Sequence, residues 1–179
     1  MVSNPYSHRS CIKSPTAFFG RSAQLEATLT FIRTPGKACI SFVGGPFAGL
    51  SSLLSYIVSD EFSSKCRLSS NDLKLVHVDS RLYDDPLSLL RFLLARLAPD
   101  RPVPDVPNWR ALNGRLITTL SGLDHARIVF LFDDFEHIGL NERFSALLDT
   151  LRGLAADLNL MLITATHRYL YDCCGLDLA

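Results

Sequence analysis

The sequence has no run of about 18 consecutive apolar residues, the length a helix needs to cross a bilayer, so no membrane partner is expected. Nor does it carry an excess of charge of one sign. Its 18 Lys and Arg balance 18 Asp and Glu, which leaves no overall field to hold a polyanion and makes nucleic acid an unexpected partner. The five cysteines (Cys11, Cys39, Cys66, Cys173 and Cys174) are odd in number and lack CxxC or Cys/His zinc spacing. They read as thiols in a reducing compartment, with Cys173 and Cys174 as two thiols rather than a strained vicinal disulfide. The N-terminal MVSNPYSHRSCIK has no apolar stretch behind its basic residues. Together these absences lead to the expectation of a cytoplasmic protein. There is no GxSxG elbow, which argues against a serine hydrolase, and His8, His77, His125, His137 and His167 show no HxxxH spacing and read as structural or solvated.

What remains is a composition suited to a single core. Apolar residues make up 47% and charged residues 20% of the 179 residues, a length at which roughly 70% of the extended surface is buried on folding. Residues 1–17 read as an N-terminal extended segment, and 18–179 as one domain. Ser22 sits as an N-cap before Leu25, Leu29 and Ile32 at helical spacing. Cys39–Val43 reads as a short strand buried on both faces, followed by one helix carrying Leu53, Leu54, Ile57, Val58 and Phe62. Strands at 75–78, 128–132 and 160–163 alternate with helical stripes that begin near Pro86, at Trp109 and at Phe144. Strands separated by helices need crossover connections, so the pattern predicts an α/β fold with a mostly parallel sheet and helices on both faces. Ligands of such sheets bind at the carboxyl ends of the strands.

Three segments at those ends carry polar chemistry. The first, Gly44-Gly45-Pro46-Phe47-Ala48-Gly49-Leu50-Ser51-Ser52, has the length and glycine placement of a GxxxxGK[ST] phosphate loop, with Leu50 where the lysine stands. Backbone N–H groups and the start of the next helix still favour an anion. The missing ammonium is a charged hydrogen bond of about 1.5–3 kcal/mol, roughly ten- to a hundredfold in affinity. The second segment is Asp133-Asp134-Phe135-Glu136, directly after the most apolar strand. In a phosphate-loop protein Asp133 would hold Mg²⁺ through water, and Asp134, or more weakly Glu136, would activate the attacking water. The same acids also suit turn or N-cap positions. The third segment, Thr164-Ala165-Thr166-His167-Arg168, follows the fourth strand. Thr166 and Arg168 there fit a sensor of the terminal phosphate, and equally the start of a helix with a solvated arginine.

Several of these segments resemble one family. Phe18-Phe19-Gly20-Arg21-Ser22-Ala23-Gln24-Leu25 resembles the FxGRxxEL opening of the ATPase domain of STAND proteins, the signal-transduction branch related to AAA+ ATPases, and Asn4-Pro5-Tyr6 ahead of it is typical of some prokaryotic members. GGPFAGLSSLL is similar to their GPxxxGKSSLL, VFLFDDFE to their Walker B segment, and LITATHRYL to their fourth-strand segment. The resemblance implies a three-layer P-loop NTPase core with sheet order 5-1-4-3-2, and a switch whose ATP and ADP states alter contacts with protein partners or further C-terminal domains. It places Phe19, Gly20 and Arg21 near adenine, Ser51 on Mg²⁺ or the β-phosphate, and Asp133 on the metal. Two departures go with it. Leu50 replaces the lysine, and no segment after the fourth strand matches the fifth strand or the lid. The implied function is therefore nucleotide binding with weak or absent hydrolysis. Two alternatives stand beside it: an active ATPase whose lysine comes from Lys37 or a partner subunit, and a nucleotide-free scaffold whose Pro46-Phe47 loop fills the vacant site.

Overall fold

A computed structural model describes residues 11–169, apart from 13, 35, 37, 38, 70, 71, 104–107 and 124. Asn4-Pro5-Tyr6, His8, Lys37 and Cys173-Cys174 lie outside the described residues. The elements run α1 (Ser22–Arg33), β1 (Cys39–Val43), α2 (Leu50–Ile57), α3 (Asp60–Lys65), β2 (Leu73–Asp79), α4 (Pro86–Leu97), α5 (Trp109–Ser121), β3 (Arg127–Asp133), α6 (Glu136–Gly139), α7 (Ser145–Asp157) and β4 (Leu160–Thr166). Of the N-terminal segment, the described part carries a single 3₁₀ turn at Pro15–Ala17. It is tied to α2 where the Ile12 N–H donates to Ser52 Oγ at 2.9 Å.

The four strands are all parallel and lie in the order β1-β4-β3-β2, which matches the 1-4-3-2 part of the expected sequence. Among the described residues no fifth strand flanks β1. The register sets Val43 beside Thr166 and Asp79 beside Asp133, so the carboxyl ends of all four strands share one margin of the sheet. β3 divides the core by strict alternation. Ile128, Phe130 and Phe132 face a cluster with Leu89, Leu93, Leu116 and Leu147 from α4, α5 and α7. Val129 and Leu131 face a second cluster with Ile32, Leu53, Leu54 and Ile57 from α1 and α2. The result is the three-layer arrangement, with helices on both faces.

Four local expectations need correction. β1 is not buried on both faces: it is one of two outer strands, and all five of its residues are exposed or half-buried, whereas three residues of the other outer strand, β2, are buried. The helix expected after it is two helices. Ser59 interrupts the run and caps α3 by accepting from the Phe62 N–H at 3.3 Å, with Asp60 and Glu61 in the first turn. Ser22 is the first helical residue of α1 rather than its cap; Arg21 takes the cap position, in the left-handed region at φ 56°. Finally, β4 runs to Thr166, so Thr164-Ala165-Thr166 belong to the strand and only His167 and Arg168 follow it.

Candidate functional site

The glycine loop starts as an extension of the sheet, with the Gly44 N–H donating to the Thr166 carbonyl at 3.1 Å. It then turns back through Gly45–Ala48, closed by the Ala48 N–H on the Gly45 carbonyl at 3.1 Å. Pro46 fixes the first turn position and Phe47 takes the second at φ 62°, a type II pattern in which glycine is the usual residue. Gly44 must be glycine for another reason: a Cβ there would lie 2.9 Å from that of Ala48. Gly49, at φ 73°, passes the chain into α2, whose first N–H groups receive no side-chain cap. Phe47 is 92% exposed, so its ring does not fill the site as the scaffold alternative requires. Leu50 is 6% exposed and joins the core under α2, its methyl groups 3.6 Å from where a side chain on Gly44 would begin.

Arg21 reaches the same loop, its guanidinium donating to the Ala48 carbonyl and lying 3.8 Å from the Cβ position of Gly49. Gly20 precedes it at φ 81°, and the Phe19 ring is largely exposed. The residues expected near adenine thus approach the loop through Arg21.

Across from the loop, β3 delivers Asp133, which is 4% exposed and accepts the Asp134 N–H at 3.2 Å. Burial pushes the Asp133 carboxyl above the usual range and the Asp134 charge adds to this, while the Ser51 side chain, the nearby His77 and the Asp134 N–H oppose it. His77 on the neighbouring strand brings Nε2 to 4.0 Å from Asp133 Oδ2. That nitrogen is hidden from water and has no hydrogen-bond partner, and burial holds the imidazole below its ordinary value.

Asp134 stands at φ 47° and has both oxygens engaged, Oδ2 with Arg81 Nε at 3.0 Å and Oδ1 with His167 Nε2 at 3.3 Å. Arg81 also forms a two-point pair with Asp79, both contacts at 2.9 Å. Glu136 accepts the His167 backbone N–H at 3.3 Å. The Thr166 side chain is buried and donates to the Arg168 carbonyl. Arg168 lines an open hollow with Glu136, His137, Asn141 and Arg143, a lining that holds no residue of the glycine loop.

His77, Arg81 and His167 are the residues that the sequence reading missed. His77 becomes visible only when the register pairs Asp79 with Asp133, since alternation then turns His77 to the same face. His167 lies inside a segment already singled out, but histidine spacing gave it no weight.

A mostly parallel sheet ordered 1-4-3-2, with a glycine loop leaving its first strand and acids leaving its third, is the fold of P-loop ATPases. Among solved structures the chain is similar to Drosophila ORC bound to DNA, with a TM-score of 0.62 and 18% identity over 88% of this chain and 40% of that one. It is also similar to a Walker-type ATPase of Pyrococcus abyssi, with a TM-score of 0.59 and 16% identity over 93% of this chain and 51% of that one. The chain thus spans about two fifths to one half of these proteins. No family model and no curated protein sequence matches it. None of the described helices is long and apolar enough to cross a membrane.

Proposed function

We propose that this chain is an ATP- or ADP-binding regulatory domain of the STAND type, a signal-transduction switch with weak or absent hydrolysis. The observation that carries this reading is that the glycine loop leaving β1 and the buried Asp133 carboxylate ending β3 lie at one margin of the sheet, with the Ser51 side chain at the start of α2 near enough to hold that carboxyl down. A phosphate and its cation require a curled backbone and a carboxylate near one another, and this placement supports that reading. The residues present fit such a group. Phe47 stands outside the loop, α2 offers uncapped N–H groups, and Asp133 and Ser51 supply hard oxygen ligands. Bound Mg²⁺ would supply charge neutralisation for the phosphates at those two residues. Arg21 braces the loop from behind at Ala48.

Two features set the expected level of hydrolysis. Leu50 contributes no charge, and Asp134, the residue expected to activate water, is committed to Arg81 and His167. Calorimetry with MgADP and MgATP, with phosphate release assayed alongside, tests the reading. The unmodified chain should bind weakly and release little phosphate. Leu50→Lys should tighten binding at least tenfold, as a charged hydrogen bond of about 1.5–3 kcal/mol requires. Asp133→Ala should weaken binding when magnesium is present. No heat from any of the three proteins would overturn the proposal. The DNA in the ORC structure belongs to that protein; for this chain the charge balance of 18 against 18 favours protein partners.

A further inference from the structure

His167 follows β4 directly, and its two ring nitrogens have different neighbours. Nδ1 lies 2.9 Å from the carbonyl oxygen of Gly44. A carbonyl can only accept, so Nδ1 carries the hydrogen and Nε2 of the neutral ring presents a lone pair. That nitrogen lies 3.3 Å from Asp134 Oδ1: a protonated ring donates to the carboxylate as an ion pair, and a neutral ring sets a lone pair against an acceptor. Glu136 completes the group. One of its oxygens holds the His167 backbone N–H, while Oε2 is shielded from water and has no partner. One ligand atom from each of Asp134, Glu136 and His167 lies within 4.8 Å of the other two. Two carboxylates and an imidazole nitrogen thus converge, and what joins them is a proton on that nitrogen or a metal ion in its place. An acceptor pair at this separation needs a positive species between its members.

We infer that Asp134, Glu136 and His167 form a binding site for a borderline divalent cation of the zinc class, separate from the Asp133–Ser51 pair. One imidazole and two carboxylates make a mixed nitrogen and oxygen set that suits Zn²⁺ better than Mg²⁺. The observed 3.3 Å between Nε2 and Oδ1 equals the edge of a tetrahedron with metal–ligand bonds of about 2.0–2.1 Å. The supporting contacts are of the kind such sites use. The histidine is oriented by a backbone carbonyl on its far nitrogen, and Asp134 is oriented by Arg81 on its other oxygen. His167 is partly exposed, so solvent reaches the fourth position. The ligands come from the ends of β3 and β4 and the start of α6. Because His167 also holds Gly44, an ion here fixes the first residue of the glycine loop.

The site can be tested without nucleotide, so its failure is distinct from failure of the nucleotide reading. The full chain is titrated with Co²⁺ alone, followed by visible absorption, and then with Zn²⁺ as competitor. One Co²⁺ per chain is expected, with ligand-field absorption of low coordination number, no thiolate-to-metal charge-transfer band, and displacement by Zn²⁺. His167→Ala and the nearly isosteric Glu136→Gln should each weaken binding at least about tenfold, the lower bound for losing even an outer partner of a metal site. Circular dichroism verifies that both variants are folded. A thiolate band would place the metal on cysteine and overturn the inference. So would unchanged affinity in a folded Glu136→Gln chain, or no binding up to about 1 mM metal; a proton alone would then join His167 to Asp134.

Discussion

β1 and β3 end at the same margin of the sheet, yet they are built differently. β3 is central, with six of its seven residues buried and alternate side chains filling two separate cores. β1 is an outer strand with none of its five residues fully buried. The first presents carboxylates with several neighbours: Arg81 and His167 pair with Asp134, and the His77 ring lies 4.0 Å from Asp133. The second presents a loop whose shape depends on a few backbone contacts and on Arg21. Where the acids have several partners, the loop is lightly held, and it carries no charged side chain.

That contrast can be broken most sharply by core truncation. Phe130→Ala in β3 should cost about 3–5 kcal/mol in denaturant unfolding, because a fully buried ring leaves a cavity between α4, α5 and the sheet. Phe42→Ala in β1, where the ring is half-buried, should cost about 1 kcal/mol or less. Equal losses would show that β1 is held as firmly as β3.

Helix starts offer a second and smaller test. The α2 end is left open, whereas at the start of α4 Asp85 accepts from the N–H groups of Leu87 and Ser88 at 2.9 and 3.0 Å. Asp85→Ala should lower stability by about 1 kcal/mol at neutral pH. The Ser88 N–H, and with it the Ser88 hydroxyl and Leu87 N–H, holds the Asp85 carboxyl below its ordinary value. A depressed folded-state value means that the contribution is complete above the unfolded value of about 3.9 and is lost as pH falls through the folded one. The difference between unmodified chain and variant should therefore shrink below about pH 4, as thermal melts across pH would record. The smallest effect is expected in the loop itself. Phe47→Gly removes a side chain from φ 62° and should stabilise the fold by about 0.5 kcal/mol, the strain relieved exceeding the added freedom of the unfolded chain.

The architecture was legible because long apolar stripes at helical spacing and β3's unbroken apolar run carry strong periodic signals. Strand order came from the resemblance, and the sheet agrees with it. The break at Ser59 was written in Ser59-Asp60-Glu61, a capping pattern that the continuing apolar residues masked. Exposure of β1 was not legible in Cys39–Val43 itself, which reads as apolar whatever its neighbours are; only the family sheet order, with no match for a fifth strand, points to an open β1 edge. The polar cluster around Asp133 and Asp134 was half legible. Its acids follow the strand in sequence, but His77, Arg81 and His167 come from other strand ends, and only register brings them together.

β1 leads straight into the glycine loop, so the loop is carried by a strand paired on one side only among the described residues. A ligand that closes around Gly44 would bear on that strand as well as on a turn, and any ordering it required would come out of its affinity. Anything that stiffens the outer margin of β1 in advance removes that penalty, making occupancy of the loop responsive to events on a face it never touches.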